Sequence, residues 1–440
     1  MMIKPIKFSE HEIKSKQADE LKQLIELETS KAISFESSRS NNKCSPKYLG
    51  IESTSDSYIA GYYIGASWLK ENEISAVVTP KVPNIDYIEM FSAALYVNSE
   101  KESEYFSNYY GIEFDKPTIK VDESFNIITP LIMIHFISVL TRLVKHGLKR
   151  GYIYKEDNLQ SKVKGHFLFH RHMLKNIIGK REDRAYCGFQ EYTIDIPENR
   201  ILKKALVFVN LAINNYRSLR KHQIYNSIRL SVNKLLSAFV NVSESIEIHE
   251  VKSIKTSKLF SEYKEAVELA KTILKRFDYS LNNTKSQENI TLPFWIDMPR
   301  LYEMYIYKWL KDNIADDEVL FQVEGYQGTA ADFVLPKQGI ILDAKYKPKY
   351  DNSNVGIIDD IREMSGYARD EAILKKIENH NSMFVPCVIV YPKVYEEMEK
   401  TEDEKSDRND GFFSCNFKIT KIRPYRDFYK LQVDVPIIKK

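Results

Sequence analysis

The sequence predicts an α+β multidomain protein. A β-rich N-terminal domain and a helical middle region precede a C-terminal unit whose elements run αβββαβ on a mixed sheet. Three observations predict this. The chain has 440 residues, more than one average domain, and its 43% hydrophobic and 28% charged content is ordinary for globular units with their own cores. From Tyr48 to about Ile128, runs rich in Tyr, Ile and Val alternate with polar turns, as in SYIAGYYIGASWL and SAVVTPKV, which is the texture of strands. From Pro130 to about Leu281 the apolar spacing becomes helical, and beyond residue 290 short apolar runs are again interleaved with helical ones.

Each segment follows from local chemistry. Residues 1–47 are polar and end in SSRSNNKCSPK, which reads as a loop-rich lead-in with room for one amphipathic helix. Residues 48–128 make the β-rich domain and residues 129–281 the helical region. Pro130 suits a helix start, and Leu131, Ile134, Val139 and Leu143 follow at roughly helical intervals. PENRILKKALVFVNLAINNYRSL and SKLFSEYKEAVELAKTILKRF are further long helices. NNTKSQEN, Asn282 to Asn289, lacks apolar anchors and reads as a linker to the last domain, 290–440. There the pattern predicts a helix over Pro299–Asn313, strands over Val319–Glu324, Ala331–Leu335 and Ile340–Lys347, a helix over Ile357–Ile377 and a strand over Phe384–Tyr391. MFVPCVIVY is almost uninterruptedly apolar, as in a strand buried on both faces. The order αβββαβ implies a mixed sheet flanked by helices.

Composition narrows the functional classes. The 4 cysteines lie far apart with no C-x-x-C pair, which argues against a disulfide framework or a zinc ribbon and fits a reducing compartment. MMIKPIKFSEHEIKSKQ lacks the apolar core of a secretory leader. ITPLIMIHFISVLTRLV, interrupted by His135 and Arg142, is too short to span a bilayer, so a cytoplasmic protein without a membrane partner is expected. From Arg142 to Val240 there are 20 Lys/Arg against 7 Asp/Glu, consistent with solvated helix faces or with a surface for phosphate backbones or an acidic partner. From Val394 to Asp410 the balance reverses.

The stretch ADFVLPKQGIILDAKYK, Ala331 to Lys347, carries the chemistry. If Pro336–Gly339 is a hairpin turn, Leu335 pairs with Ile340, Val334 with Ile341, Phe333 with Leu342 and Asp332 with Asp343. Directly opposed residues have Cβ atoms roughly 4.5–5.5 Å apart, so two carboxylates there repel. Period two places Asp343, Lys345 and Lys347 on one face of their strand, and Asp332 points the same way. Two acids and a lysine converge. Mg²⁺, or Mn²⁺ as an alternative, resolves the repulsion and is commonly held by carboxylates together with substrate phosphate. The lysine is then placed to orient or activate water, or to stabilise charge on a phosphodiester. In MPRLYEMYIYKWL, Glu303 shares a stripe with Ile306, Tyr307 and Leu310, where a carboxylate is costly without a partner; a boundary residue reaching solvent is the other reading. In IIDDIREMSGYARD, Ile357, Ile361, Met364 and Ala368 form the buried stripe. Asp359 and Asp360 favour the helix dipole, and Glu363 and Tyr367 share a face from which they could support the site, although for Glu363 a solvated pair is the favoured reading.

This D…D-x-K arrangement resembles the PD-(D/E)xK nuclease superfamily, whose core has the same αβββαβ order. The resemblance implies Asp332, Asp343, Lys345 and Glu303 as catalytic residues, with Asp332, Asp343 and Glu303 as metal ligands. Further stretches narrow the likeness. FQEYTIDIPENRILKKAL resembles the E-x-x-x-D-x-P-x-N-R-x-L-K stretch of McrC proteins, nuclease subunits of McrBC-type (5-methylcytosine) restriction systems whose partner McrB is a GTP-driven AAA+ motor. KVKGHFLFHRHMLKNI, GYYIGASWL with VTPKV, and MPRLYEMYIYKWL are similar to segments of that family. DDIREMSGYA matches its D-x-x-Q-[LM]-x-x-Y helix, except that Glu363 replaces the usual Gln. The likeness covers roughly residues 50–392. It implies a Mg²⁺-dependent DNA endonuclease that acts only in a complex, with residues 48–281 contacting the motor and stimulating its GTPase. Cutting both strands of double-stranded DNA implies a homodimer through residues 290–440. IIGKRED lacks the first glycine of a phosphate-binding loop, so the chain is not its own motor.

Two alternatives stay open: a non-cutting stimulatory subunit with a vestigial nuclease fold, and a basic DNA-binding structural protein. His166, His170 and His172 lie among Arg and Lys without an acid or Cys at ligand spacing and read as ordinary histidines. Asn199 and Arg200 read as structural, with Asp195 to Asn199 forming a turn that caps a helix starting near Ile201.

Overall fold

The computed structural model describes residues 5–30, 33, 35, 46–82, 85–91, 105, 109–113, 116–121, 128–215, 225–247, 261–282, 290–314, 319–347, 354–378, 385–393 and 419–437. The protein is α+β with mixed sheets and divides into two compact units, Met1–Leu131 with Gln287–Lys440, and Ile132–Ser286. The β-rich N-terminal region is thus grouped with the C-terminal region rather than with the helical one. The expected linker beyond Asn282 and the acidic stretch 394–410 lie outside the described residues.

In the first unit, a five-stranded sheet has the order Ile6–Ser9, Ile74–Thr79, Tyr63–Lys70, Phe294–Asp297, Tyr110–Ile112. The first pair is parallel and the other pairs are antiparallel. Two expectations are corrected here. The lead-in is not merely loop: in its first strand Ile6 and Phe8 alternate with exposed residues and enter the core with Leu24, Tyr58, Ala76 and Val78. The run was too short and too polar at its flanks to be legible as a strand. Phe294–Asp297, counted by sequence with the last domain, is an inner strand of this N-terminal sheet.

That strand leads directly into α1 (Met298–Asn313). The Asp297 side chain accepts a hydrogen bond from the Arg300 N–H, and Pro299 occupies the first turn, where a missing N–H costs nothing. The second sheet contains β1 (Leu320–Glu324), β2 (Ala330–Leu335), β3 (Ile340–Ala344), β4 (Cys387–Lys393), β5 (Ile419–Lys421) and β6 (Phe428–Asp434). Their spatial order is β1-β2-β3-β4-β6-β5. β1/β2, β2/β3 and β5/β6 are antiparallel, whereas β4 runs parallel to both neighbours. β4 is buried almost throughout, as its apolar run implies. The strands β5 and β6 were not expected from the sequence. Tyr307 of α1 stacks on Phe321 and Phe333. Ile361, Met364 and Tyr367 of α2 (Asn354–Tyr367) pack with Val334, Ile341, Cys387 and Ile389. The helix expected over Ile357–Ile377 is interrupted after Tyr367. Asp370 caps a second, short helix, Glu371–Leu374, by accepting from the Ala372 N–H.

The second unit contains the expected long helices, observed as Pro197–Asn215 and Ser261–Asn282. The apolar run forms helix Ile128–His146, whose His135 and Arg142 lie 3.0 Å and 3.7 Å from Glu265. Among the described residues no helix is long and apolar enough to cross a membrane. The region is not purely helical. Gly151–Gln160 and Arg184–Thr193 pair antiparallel over their full length, with His166–Phe167 on the outer edge. The first of these strands keeps polar and partly exposed residues on both faces, which left little apolar alternation to read. Asn199 is fully buried: it donates to the Lys149 and Ile194 carbonyls at 2.9 Å and 2.6 Å and accepts from the Tyr263 hydroxyl at 2.8 Å. Arg200 forks onto both Asp195 oxygens at 2.8 Å, so the pair is structural. The helix begins at Pro197, earlier than expected.

Candidate active site

The hairpin forms in the anticipated register, with Phe333 opposite Leu342, Val334 opposite Ile341 and Leu335 opposite Ile340. Gly339 closes the turn at φ 68°, a conformation that a side chain disfavours, and donates its N–H to the Leu335 carbonyl at 2.9 Å. One further step along this register brings Asp332 and Asp343 opposite each other. Both are buried, at 9% and 2% exposure. Asp332 Oδ2 accepts the Ala344 backbone N–H at 2.9 Å, which ties the two strand ends together.

Lys345 follows β3. Its Nζ lies 2.8 Å from Asp343 Oδ2 and 2.8 Å from Glu363 Oε2, and Glu363 accepts the Tyr367 hydroxyl at 2.8 Å. Glu363 and Tyr367 on α2 are therefore joined to the lysine. Glu303 on α1 reaches the same place from the other side: its carboxylate accepts from the Tyr105 hydroxyl and, at 3.2 Å, from Gln322 Nε2. The same Gln322 nitrogen donates to Asp332 Oδ1 at 3.0 Å. All six residues singled out by sequence belong to one network.

Its electrostatics are those of crowded acids. Burial, reinforced by the charges of Glu303 and Asp343, pushes the Asp332 carboxyl well above the usual carboxylate range. Burial raises Glu303 to about 8, with the Tyr105 hydrogen bond opposing and the Asp343 charge adding to the rise. Burial also raises Asp343, against the pull of Lys345. Burial disfavours the Lys345 charge, but Asp343 and Glu363 outweigh it and hold the ammonium above its ordinary pKa. Glu363 is the exception among the acids: burial works against its charge, yet Lys345 and Tyr367 bring it below its ordinary value. A lysine held this firmly protonated donates hydrogen bonds and positive charge. It is not a base.

Buried Asp332 and Asp343 and half-buried Glu303 offer hard oxygen donors of the kind Mg²⁺ or Mn²⁺ takes, and are the residues that could hold such an ion. In the arrangement seen, the Gln322 amide bridges Glu303 and Asp332 while Lys345 takes Asp343. Among the described residues no group of three or more His, Cys, Asp or Glu side chains stands together at ligating spacing.

Several participants were not read from the sequence. Gln322 could have been found by pairing β1 with β2, which sets it across from Asp332. Tyr105 comes from far along the chain and carries no local signal. Asp360 is buried and receives Lys347 on both oxygens at 2.8 Å, more than the dipole role expected of it, whereas exposed Asp359 meets only Arg362 at 3.2 Å. Lys81 from the N-terminal region donates to the Tyr346 carbonyl at 3.0 Å and pairs with buried Glu10 at 3.4 Å. Within the helical unit, His166 is 3.2 Å from the Tyr154 hydroxyl, and His172 Nδ1 is 2.9 Å from the Asn176 amide.

The fold and site define an α+β protein whose mixed sheet presents buried acids and one lysine at the ends of adjacent strands. A family model described as McrBC 5-methylcytosine restriction system component matches residues 104–362, more than half of the chain. The chain belongs to this family. Among solved structures it is similar to a half-complex from the tetradecameric assembly of Thermococcus gammatolerans McrB AAA+ hexamers with bound McrC. That likeness has 16% identity and a TM-score of 0.38, over 98% of this chain and 94% of that one. The McrBC complex of the same organism is similar at 16% identity and a TM-score of 0.29, over 71% of this chain and 89% of that one. No curated protein matches.

Proposed function

We propose that this chain is the endonuclease subunit of a GTP-driven restriction complex, hydrolysing DNA phosphodiester bonds with Mg²⁺ through a PD-(D/E)xK core. Its partner on this reading is an McrB-like AAA+ GTPase, which it stimulates. The observation that carries the reading is the pair of buried strand-end acids, Asp332 and Asp343, with Lys345 2.8 Å from Asp343, in a chain that belongs to the McrBC family.

Mg²⁺, when bound, would supply Lewis acidity, neutralise phosphate charge and make a water more acidic. Asp332, Asp343 and Glu303 are the residues that would hold it. Lys345 aims its ammonium at the charge that develops on the phosphate as water attacks, and Glu363, braced by Tyr367, fixes the direction of its Nζ. Breaking both strands of a duplex calls for two such sites, hence a homodimer through the C-terminal region.

The test combines the chain with the neighbouring AAA+ protein, GTP, Mg²⁺ and methylated plasmid. Asp343→Ala and Lys345→Ala are each expected to abolish cleavage while the complex assembles and GTP is hydrolysed. Persistent cleavage by either variant refutes the assignment. The absence of a ligating triad among the described residues favours a second reading, a stimulatory subunit that does not cut. On that reading the wild-type chain raises GTP hydrolysis and leaves every DNA intact.

A further inference from the structure

The backbone of β1 departs from strand geometry at one residue. Gln322 has φ 48°, in the left-handed region that non-glycine residues rarely enter. β1 and β2 pair at Leu320–Val334, Phe321–Phe333, Val323–Ala331 and Glu324–Ala330, and the ladder skips the step that would join Gln322 to Asp332. An unstrained strand would make that step. Here the backbone gives it up, and the Gln322 side chain reaches two carboxylates on different elements, Asp332 Oδ1 at 3.0 Å and Glu303 Oε2 at 3.2 Å. Strained residues that persist in a packed fold concentrate at functional sites. The Gln322 amide nitrogen thus donates to two of the carboxyl groups that would hold a cation.

We propose that Gln322 is a positioning residue that stands in for the cation: its amide holds Asp332 and Glu303 together and is displaced from them when a divalent ion binds. This rests on the reading of those acids as metal-holding. An amide carries only a partial positive charge and cannot neutralise two carboxylates, so it gives way to a divalent ion. It nevertheless competes with that ion for the same oxygens, and this competition sets the affinity. The consequence is a site kept assembled but tuned to weaker binding, so that loading follows the ambient concentration of the ion.

The experiment uses the full chain, with Mn²⁺ as the probe, read by calorimetry and by the electron paramagnetic signal of free Mn²⁺. Thermal unfolding in chelator is followed in parallel. Gln322→Ala keeps the backbone demand of the position and removes only the amide. It is expected to bind Mn²⁺ roughly tenfold more tightly, about 1.4 kcal/mol, from the loss of two hydrogen bonds that the ion must break. It is also expected to melt below wild type in chelator. Ordinary structural damage would lower the melting temperature without tightening binding. Unchanged affinity overturns the proposal. Weaker affinity also overturns it, by making the Gln322 carbonyl a ligand. If the alanine variant does not fold, Gln322→Gly, which accepts φ 48°, replaces it with the same expectation. Wild type that binds no Mn²⁺, or Asp332→Asn that binds it as well as wild type, refutes the metal reading itself and the proposal with it. That failure is distinct from an unchanged Gln322 variant in a chain that does bind.

Discussion

Removal of Lys345 separates what the ammonium does for the fold from what it does for chemistry. Lys345 holds two carboxylates, each at 2.8 Å, in different surroundings: the Asp343 side chain is 3% exposed and that of Glu363 46%. Lys345→Ala leaves Asp343 buried and unpaired, and breaking a buried ion pair from one side costs roughly 3–5 kcal/mol. The Glu363 contact is screened by solvent and adds less than about 1 kcal/mol. A loss of about 4 kcal/mol is therefore expected, within reach of a fold stable by roughly 5–15 kcal/mol. The double variant Asp343→Ala/Lys345→Ala removes both charges and should recover most of that loss, giving a coupling of about 3 kcal/mol. The readout is urea unfolding in chelator by tryptophan fluorescence. All 3 tryptophans, Trp68, Trp295 and Trp309, lie in the unit that contains the site, so the signal reports on that unit. Cleavage should be absent in both variants despite their different stabilities. Lys345→Ala as stable as wild type, or a double variant no more stable than Lys345→Ala, refutes the electrostatic account.

Three further outcomes are expected. The Glu303 carboxyl is raised from 4.5 to about 8, so the native state binds the proton more tightly than the unfolded chain; its penalty is absent below pH 4.5 and grows until pH passes about 8. Glu303→Gln should accordingly equal wild type near pH 4.5 and exceed it above pH 8 by on the order of 1–2 kcal/mol, discounted for partial exposure, while losing cleavage; a less stable variant at pH 9 in chelator contradicts this. Asn199→Ala takes one partner from the Lys149 and Ile194 carbonyls and from the buried Tyr263 hydroxyl and should cost roughly 2–4 kcal/mol in the helical unit, read by loss of circular dichroism at 222 nm during urea unfolding. Glu363→Gln should keep cleavage within about threefold, because one amide oxygen can accept from Lys345 while the amide N–H donates to the Tyr367 oxygen. Glu363→Ala, which supplies neither, should fall about tenfold in the same plasmid assay.

The sequence by itself determined the parts of the site that obey short-range rules. The turn at Pro336–Gly339 and the two-residue period of the flanking strands specify which side chains oppose each other. A one-residue slip would turn every apolar residue of the hairpin to the wrong face, so Asp332 and Asp343 were legible without coordinates. The 3.6-residue period placed Glu303, Glu363 and Tyr367 on helix faces in the same way. Their mutual contacts, and those with Lys345, required the tertiary fold. Tertiary structure alone decided the remainder. Tyr105 reaches Glu303 across 198 positions of chain, and Phe294–Asp297 joins a sheet whose other strands lie before residue 113. The left-handed turn of Gln322 runs against its local strand pattern. Local periodicity reports how a segment can hide its apolar face. Which distant acid, hydroxyl or amide meets it there depends on how separately folded elements close around a common core, where burying one charge costs enough to dictate the position of its neighbours.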